Sequence, residues 1–162
     1  MNSVVAEAMR RMLSYPGQTQ HDIDHFMKVY AYAETIGVLE GLDPETQEIL
    51  EIASILHDIA CPLCRKKYGN TNGVHQQDEG MSLAKAFLTD TDVSSDARER
   101  IVWLIGHHHT YSHVEGMDYQ ILLEADYLVN ATENEKYRKQ IDAFRKNVFK
   151  TVSGFEMLDA LI

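Results

Sequence analysis

The sequence predicts an all-α fold, a single-domain bundle of about six to eight helices. Three observations carry this. Apolar residues recur at helical spacing, the breaks fall at Pro, Gly and capping residues, and no run alternates as a half-buried strand would. At 162 residues the chain is long enough to bury one real core. One domain is expected over 1–162, with its core over about 20–131 and C-terminal helices over 132–162.

The first helix is read from Val4 to Leu13 and stops before the breaker Tyr15-Pro16-Gly17. The second begins near Asp22 and carries His25, Phe26, Val29, Ala33 and Ile36 on one face, with Gly37 and Gly41 closing it. Asp43-Pro44-Glu45 starts the third with a cap candidate and a first-turn proline. Its stripe of Ile49, Ile52, Ala53, Leu56 and Ala60 is widened by Leu50, Ile55 and Ile59, so the helix belongs in the middle of the bundle. Pro62 either closes it or opens another short helix.

Gly69 to Val74 reads as a loop, followed by a fourth helix from Gln76 to Leu88 and a Thr-Asp-Thr-Asp turn. Ser94 or Ser95 caps the fifth, which runs to His107-His108-His109. The sixth spans Tyr119 to Ala131, and a more polar last helix spans Lys136 to Lys150. The segment Gly154–Ile162 is expected to dock on the domain itself or on a partner chain, so a homo-oligomer is compatible with it.

Net charge is −10 with no long Lys/Arg cluster, which disfavours binding to a nucleic-acid backbone. No run of apolar residues is long enough to span a bilayer. The N-terminus lacks the basic start and apolar stretch of a signal peptide, so the cytoplasm is the expected compartment. Cys61 and Cys64 form Cys-Pro-Leu-Cys, but the pair follows a helix rather than a strand and no second Cys pair completes a zinc site. Reduced thiols are the expectation.

Four predicted helices each present a metal-capable group from the apolar side. His25 lies four residues before Val29, and His57-Asp58 ends the third helix. His108 continues the face of Ile101, Leu104 and Ile105, while Leu122, Ala125 and Val129 flank Asp126. A single such histidine is most often a satisfied core residue. A buried carboxylate needs a partner, and four helices offering such groups together point to a metal site of one or two ions. Mixed imidazole and carboxylate donors suit Mn, Fe, Ni, Co or Zn better than a calcium cage.

The chain resembles the HD-domain metal-dependent phosphohydrolase superfamily. The resemblance rests on His25-Phe-Met-Lys28-Val29-(x3)-Ala33, Ile55-Leu56-His57-Asp58-Ile59 and Leu123-Glu-Ala125-Asp126, in that order over most of the chain. It implies His25, His57, Asp58 and Asp126 as ligands of a divalent transition-metal ion. It also implies hydrolysis of a small phosphomonoester or nucleotide, with Asp58 and His108 in the chemistry.

His107 and His108 resemble paired histidines that some members use for a second metal or for phosphate. His75 is the candidate second-metal histidine at the start of the fourth helix. It stands five residues before Gly80 where relatives have four, and Gln76 takes the four-residue place. His21, one turn before His25, reads as a surface or capping residue. Arg65, Lys66 and Lys67, shortly after Asp58, are better candidates for substrate phosphate than Lys28, with Arg65 and Lys66 foremost. Two alternatives stand beside hydrolysis: a di-iron oxygenase, which needs the second site, and a module that binds a nucleotide or partner without turnover.

Overall fold

Asn2 accepts from the Val5 amide and starts α1 (Ser3–Leu13). Thr19 and Asp22 form a reciprocal capping box at the head of α2 (Gln20–Leu39). Asp43 caps α3 (Pro44–Leu56), with Pro44 placed where the missing N–H costs nothing. α4 (Cys61–Tyr68) opens at Pro62 and ends at Gly69, whose φ of 73° is the left-handed geometry that glycine tolerates best. α5 (Gly73–Leu88) and the Ser94-capped α6 (Ser95–Ile105) follow. Then come α7 (Met117–Glu133), α8 (Glu135–Arg138), α9 (Ile141–Asn147) and α10 (Val152–Leu161).

This computed structural model describes residues 1–162 and is built from helices alone. No helix is long and apolar enough to cross a membrane. Two helices form its axis. Every α3 residue from Ile49 to Leu56 is buried, as is every α7 residue from Asp118 to Val129. α3 packs on α1, α2, α6 and α7, while α2 packs along α7, and α5 pairs with α6. α2, α3 and α7 are therefore mutual neighbours, which brings their polar core-side residues to one place.

The all-α expectation holds, but the structure has ten helices rather than six to eight. Pro62 begins a helix, and α5 starts at Gly73, three residues before the expected Gln76. The last polar helix is broken into α8 and α9. The Tyr137 carbonyl accepts from the Tyr127 hydroxyl at 2.8 Å and from the Gln140 amide at 2.9 Å. Those bonds replace the one a continuing helix would make.

The C-terminal segment docks on the chain itself as α10. The Glu124 carboxylate of α7 accepts from the Lys150 and Thr151 amides, and the Thr151 hydroxyl caps the helix through the Gly154 amide. A Cβ on Gly154 would collide with Glu124 Oε1, so glycine is what permits this approach.

Candidate metal centre

α3 ends at Leu56, and the Ile59 amide bonds the Leu56 carbonyl at 2.9 Å, a tightened last turn that leaves His57 and Asp58 at the helix mouth. His57 donates Nδ1–H to the Ser54 carbonyl at 2.7 Å, so its Nε2 lone pair faces the other way. His25 on α2 is oriented likewise, with Nδ1 3.0 Å from Glu133 Oε2. The two Nε2 atoms are 3.2 Å apart.

Around them stand two carboxylates. Asp58 Oδ2 is 3.3 Å from His25 Nε2 and 3.4 Å from His57 Nε2. Asp126 Oδ1 on α7 is 3.1 and 3.4 Å from the same nitrogens. His25, His57 and Asp126 are buried, whereas Asp58 is 26% exposed and opens to the surface. The ligand atoms of His25, His57 and Asp58 lie within 4.8 Å of one another and can hold a metal ion, and Asp126 joins through both imidazoles.

The electrostatics explain why an ion belongs here. No Lys or Arg side chain pairs with Asp58 or Asp126; their partners are imidazoles and the Asn130 amide. Burial opposes a charged His25, yet the Asp126 and Asp58 carboxylates outweigh it and raise its pKa to about 9. His57 is raised for the same reasons. Burial would push both carboxylates up, but the imidazoles hold them well below the usual carboxylate range. Without a cation, protons must hold the four groups together. A divalent ion replaces those protons, and the donor set fits one.

His108, fully buried, donates Nδ1–H to the Ile105 carbonyl at 2.8 Å. Its Nε2 lies 3.4 Å from Asp58 Oδ1 and 3.3 Å from Gln76 Oε1. His109 Nε2 reaches the same Gln76 oxygen at 2.8 Å. Burial, then the neighbouring His108, lowers the His109 pKa to about 4, so that ring is neutral. Asp58, His108 and His109 form a second group able to hold an ion, on the other side of Asp58.

Of the remaining sequence candidates, His21 and Arg65 reach the cavity and the others lie apart. His107 bonds the Trp103 carbonyl and stacks on the Trp103 ring at 3.9 Å. His75 bonds Asn70 and stacks on Tyr68. His21 sits at the cavity rim, 3.4 Å from Glu133. Arg65 faces the cavity but is clasped by Asp22, at 2.5 and 3.0 Å, while Lys66 is exposed outside it and Lys67 pairs with Glu79. Lys28 reaches Glu133 rather than the cavity. A cavity of about 650 Å³ opens above His25, Asp58 and Asp126.

The model of the HD domain family matches residues 22–146, a span that takes in His25, His57, Asp58 and Asp126. The chain belongs to the HD domain family. Among solved structures it is similar to a predicted HD superfamily hydrolase from an uncultured Thermotogales bacterium. That likeness has a TM-score of 0.68 and 20% identity, over 97% of this chain and 82% of the other, and it shows the shared fold. No curated protein matches the chain.

Three residues of this HD domain escaped the sequence reading as members of the site. Glu133 orients His25, and it lies seven residues after Asp126 on the same helical face, with Asn130 between them. That spacing was a usable signal. Gln76 interrupts the expected histidine spacing in the sequence, yet its carbonyl oxygen gathers His108 and His109. Helical periodicity points to His108, but it is His109 that lines the cavity. Cys61 and Cys64 are free buried thiols in α4, and burial pushes both thiol pKa values up.

Proposed function

We propose that this HD domain is a metal-dependent phosphohydrolase acting on a small phosphomonoester or nucleotide. The observation that carries the reading is the convergence of His25, Asp58 and Asp126, which line an open polar cavity, with the buried His57. The hydrolase named for the similar Thermotogales structure agrees with it. A Mn, Fe, Ni, Co or Zn ion held there would acidify bound water and neutralise charge developing on phosphorus.

The chain's own residues supply the rest. Glu133 and the Ser54 carbonyl hold the Nδ1 sides of His25 and His57, which would leave both Nε2 atoms free to hold an ion. Asp58 is the exposed ligand, so its carboxylate is placed to orient the attacking water. His108 is fully buried and touches Asp58 Oδ1, which makes it a positioning residue that acts through Asp58. Arg65 faces the cavity and can meet a phosphate oxygen while Asp22 holds its other edge.

A second reading, dioxygen chemistry at two irons, draws support from the adjoining Asp58, His108 and His109 group. Elemental analysis per chain beside a phosphatase screen separates the two. About one ion per chain, lost together with turnover in Asp58→Ala, supports the phosphohydrolase. Two irons with oxygen consumption favour the second reading, and full turnover by Asp58→Ala refutes the assigned role of that residue.

A further inference from the structure

We infer that the cavity selects the monophosphate of a small polyhydroxylated molecule, a sugar or polyol phosphate, over nucleotides; this rests on the phosphohydrolase reading. Ligand cavities are usually lined mainly by apolar and aromatic side chains, with a few polar groups for orientation. This one is inverted: two of its sixteen lining residues, Cys61 and Tyr137, are hydrophobic. A nucleobase gains its affinity by stacking on flat apolar faces, and apart from imidazoles Tyr137 offers the one aromatic ring. The same wall carries Thr71, Asn72, Asn130 and Asn134. The Asn130 NH2 is given to Asp126 and the Asn134 oxygen to the Lys136 amide, which leaves the Asn130 oxygen, the Asn134 NH2, the whole Asn72 amide and the Thr71 hydroxyl for a ligand. The Asn72 side chain makes no capping bond to its own helix and is free to meet a ligand. A ring of hydroxyls satisfies such a wall, whereas a base would strip it of water without replacing the hydrogen bonds.

Charge points to one phosphate. The lysines that pair with carboxylates are Lys28, Lys67 and Lys139, so Lys136 enters the cavity wall uncommitted. With a divalent ion in place, Asp22, Asp58 and Asp126 are balanced by it, Arg65 and Lys136 with one positive charge to spare. That suits a monoester dianion and gives little to a polyphosphate. In the reaction the oxygen of water bonds to phosphorus and the ester P–O bond breaks. The departing alkoxide takes up a proton from that water, leaving the free polyol and inorganic phosphate.

The test is a steady-state panel on the metal-loaded protein: hexose, pentose and glycerol phosphates, nucleoside 5′-monophosphates, and p-nitrophenyl phosphate. A second readout is calorimetric binding of non-hydrolysable phosphonate analogues of a hexose phosphate and of a nucleoside monophosphate. The expected result is kcat/KM about tenfold or more higher for a sugar or polyol phosphate than for any nucleotide, with the hexose phosphonate binding tighter. Asn72→Leu and Lys136→Met should each erode that preference mainly through KM. Preference for nucleotides in both readouts overturns this inference and leaves the phosphohydrolase reading standing. No turnover of any ester with any of the five metals overturns both.

Discussion

Glu124 holds the C-terminal helix to the core, and its removal is the sharpest test of the packing described. Its Oε2 accepts from Gln120 Nε2 at 2.5 Å and from the Lys150 and Thr151 amides at 3.2 Å each, and its Oε1 accepts from the Thr151 hydroxyl at 2.6 Å. Glu124→Ala strands these donors in a buried place, each at about 1–3 kcal/mol, less what water entering the space returns and the desolvation of the lost carboxylate. The net expectation is about 3 kcal/mol, or a Tm lower by roughly 6–12 °C for a chain of this length. Glu124→Gln should cost only about 1 kcal/mol, because its oxygen can keep the Oε2 bonds while its NH2 donates to the Thr151 hydroxyl. Burial raises the Glu124 pKa above 4.5, so its contribution is full below that pH and declines as pH rises through the folded value. The Gln variant should lack this decline. Urea denaturation of the three proteins across pH 4 to 8 measures all of it. If Glu124→Ala unfolds within about 0.5 kcal/mol of the parent, the carboxylate is not what anchors α10.

Two further expectations concern the metal centre. Glu133→Gln removes the charged partner of His25 Nδ1 and should weaken metal affinity about 10–100-fold, read by chelator competition; unchanged affinity means Glu133 does not tune that ligand. Because the apo His25 pKa is about 9, ion binding at pH 7 should release at least about one proton, and affinity should climb with pH before levelling near 9. The same raised value stabilises the apo fold fully below pH 6.5 and is lost as pH rises through about 9. Calorimetry in buffers of different ionisation enthalpy gives the proton count, and a count of zero contradicts the assigned charge state.

The four converging residues were legible because each interrupts an apolar stripe, and a stripe states which way a side chain points before any tertiary contact is known. His25 beside Phe26 and Val29, and Asp126 among Leu122, Ala125 and Val129, are of this kind. What a stripe cannot state is the partner. Glu124 sits on α7 like Asp126, but its meaning comes from Lys150 and Thr151, more than twenty residues away. The break between α8 and α9 is hidden for the same reason, since the Tyr127 hydroxyl that occupies the Tyr137 carbonyl arrives from another helix.

Periodicity also fails where the helix itself ends. Extending the face of Ile101, Leu104 and Ile105 past Gly106 correctly leads to a buried histidine at 108. It cannot say that His107 turns onto Trp103 or that His109 swings to the cavity, because Gly106 caps α6 and the three histidines lie in a turn. The division is physical. The first candidate ion position is built from core-facing residues on α2, α3 and α7, whose stripes can be read from the sequence. The second draws His108 and His109 from a turn and is bridged by Gln76 from α5, so it emerges only once α5 and α6 are packed together.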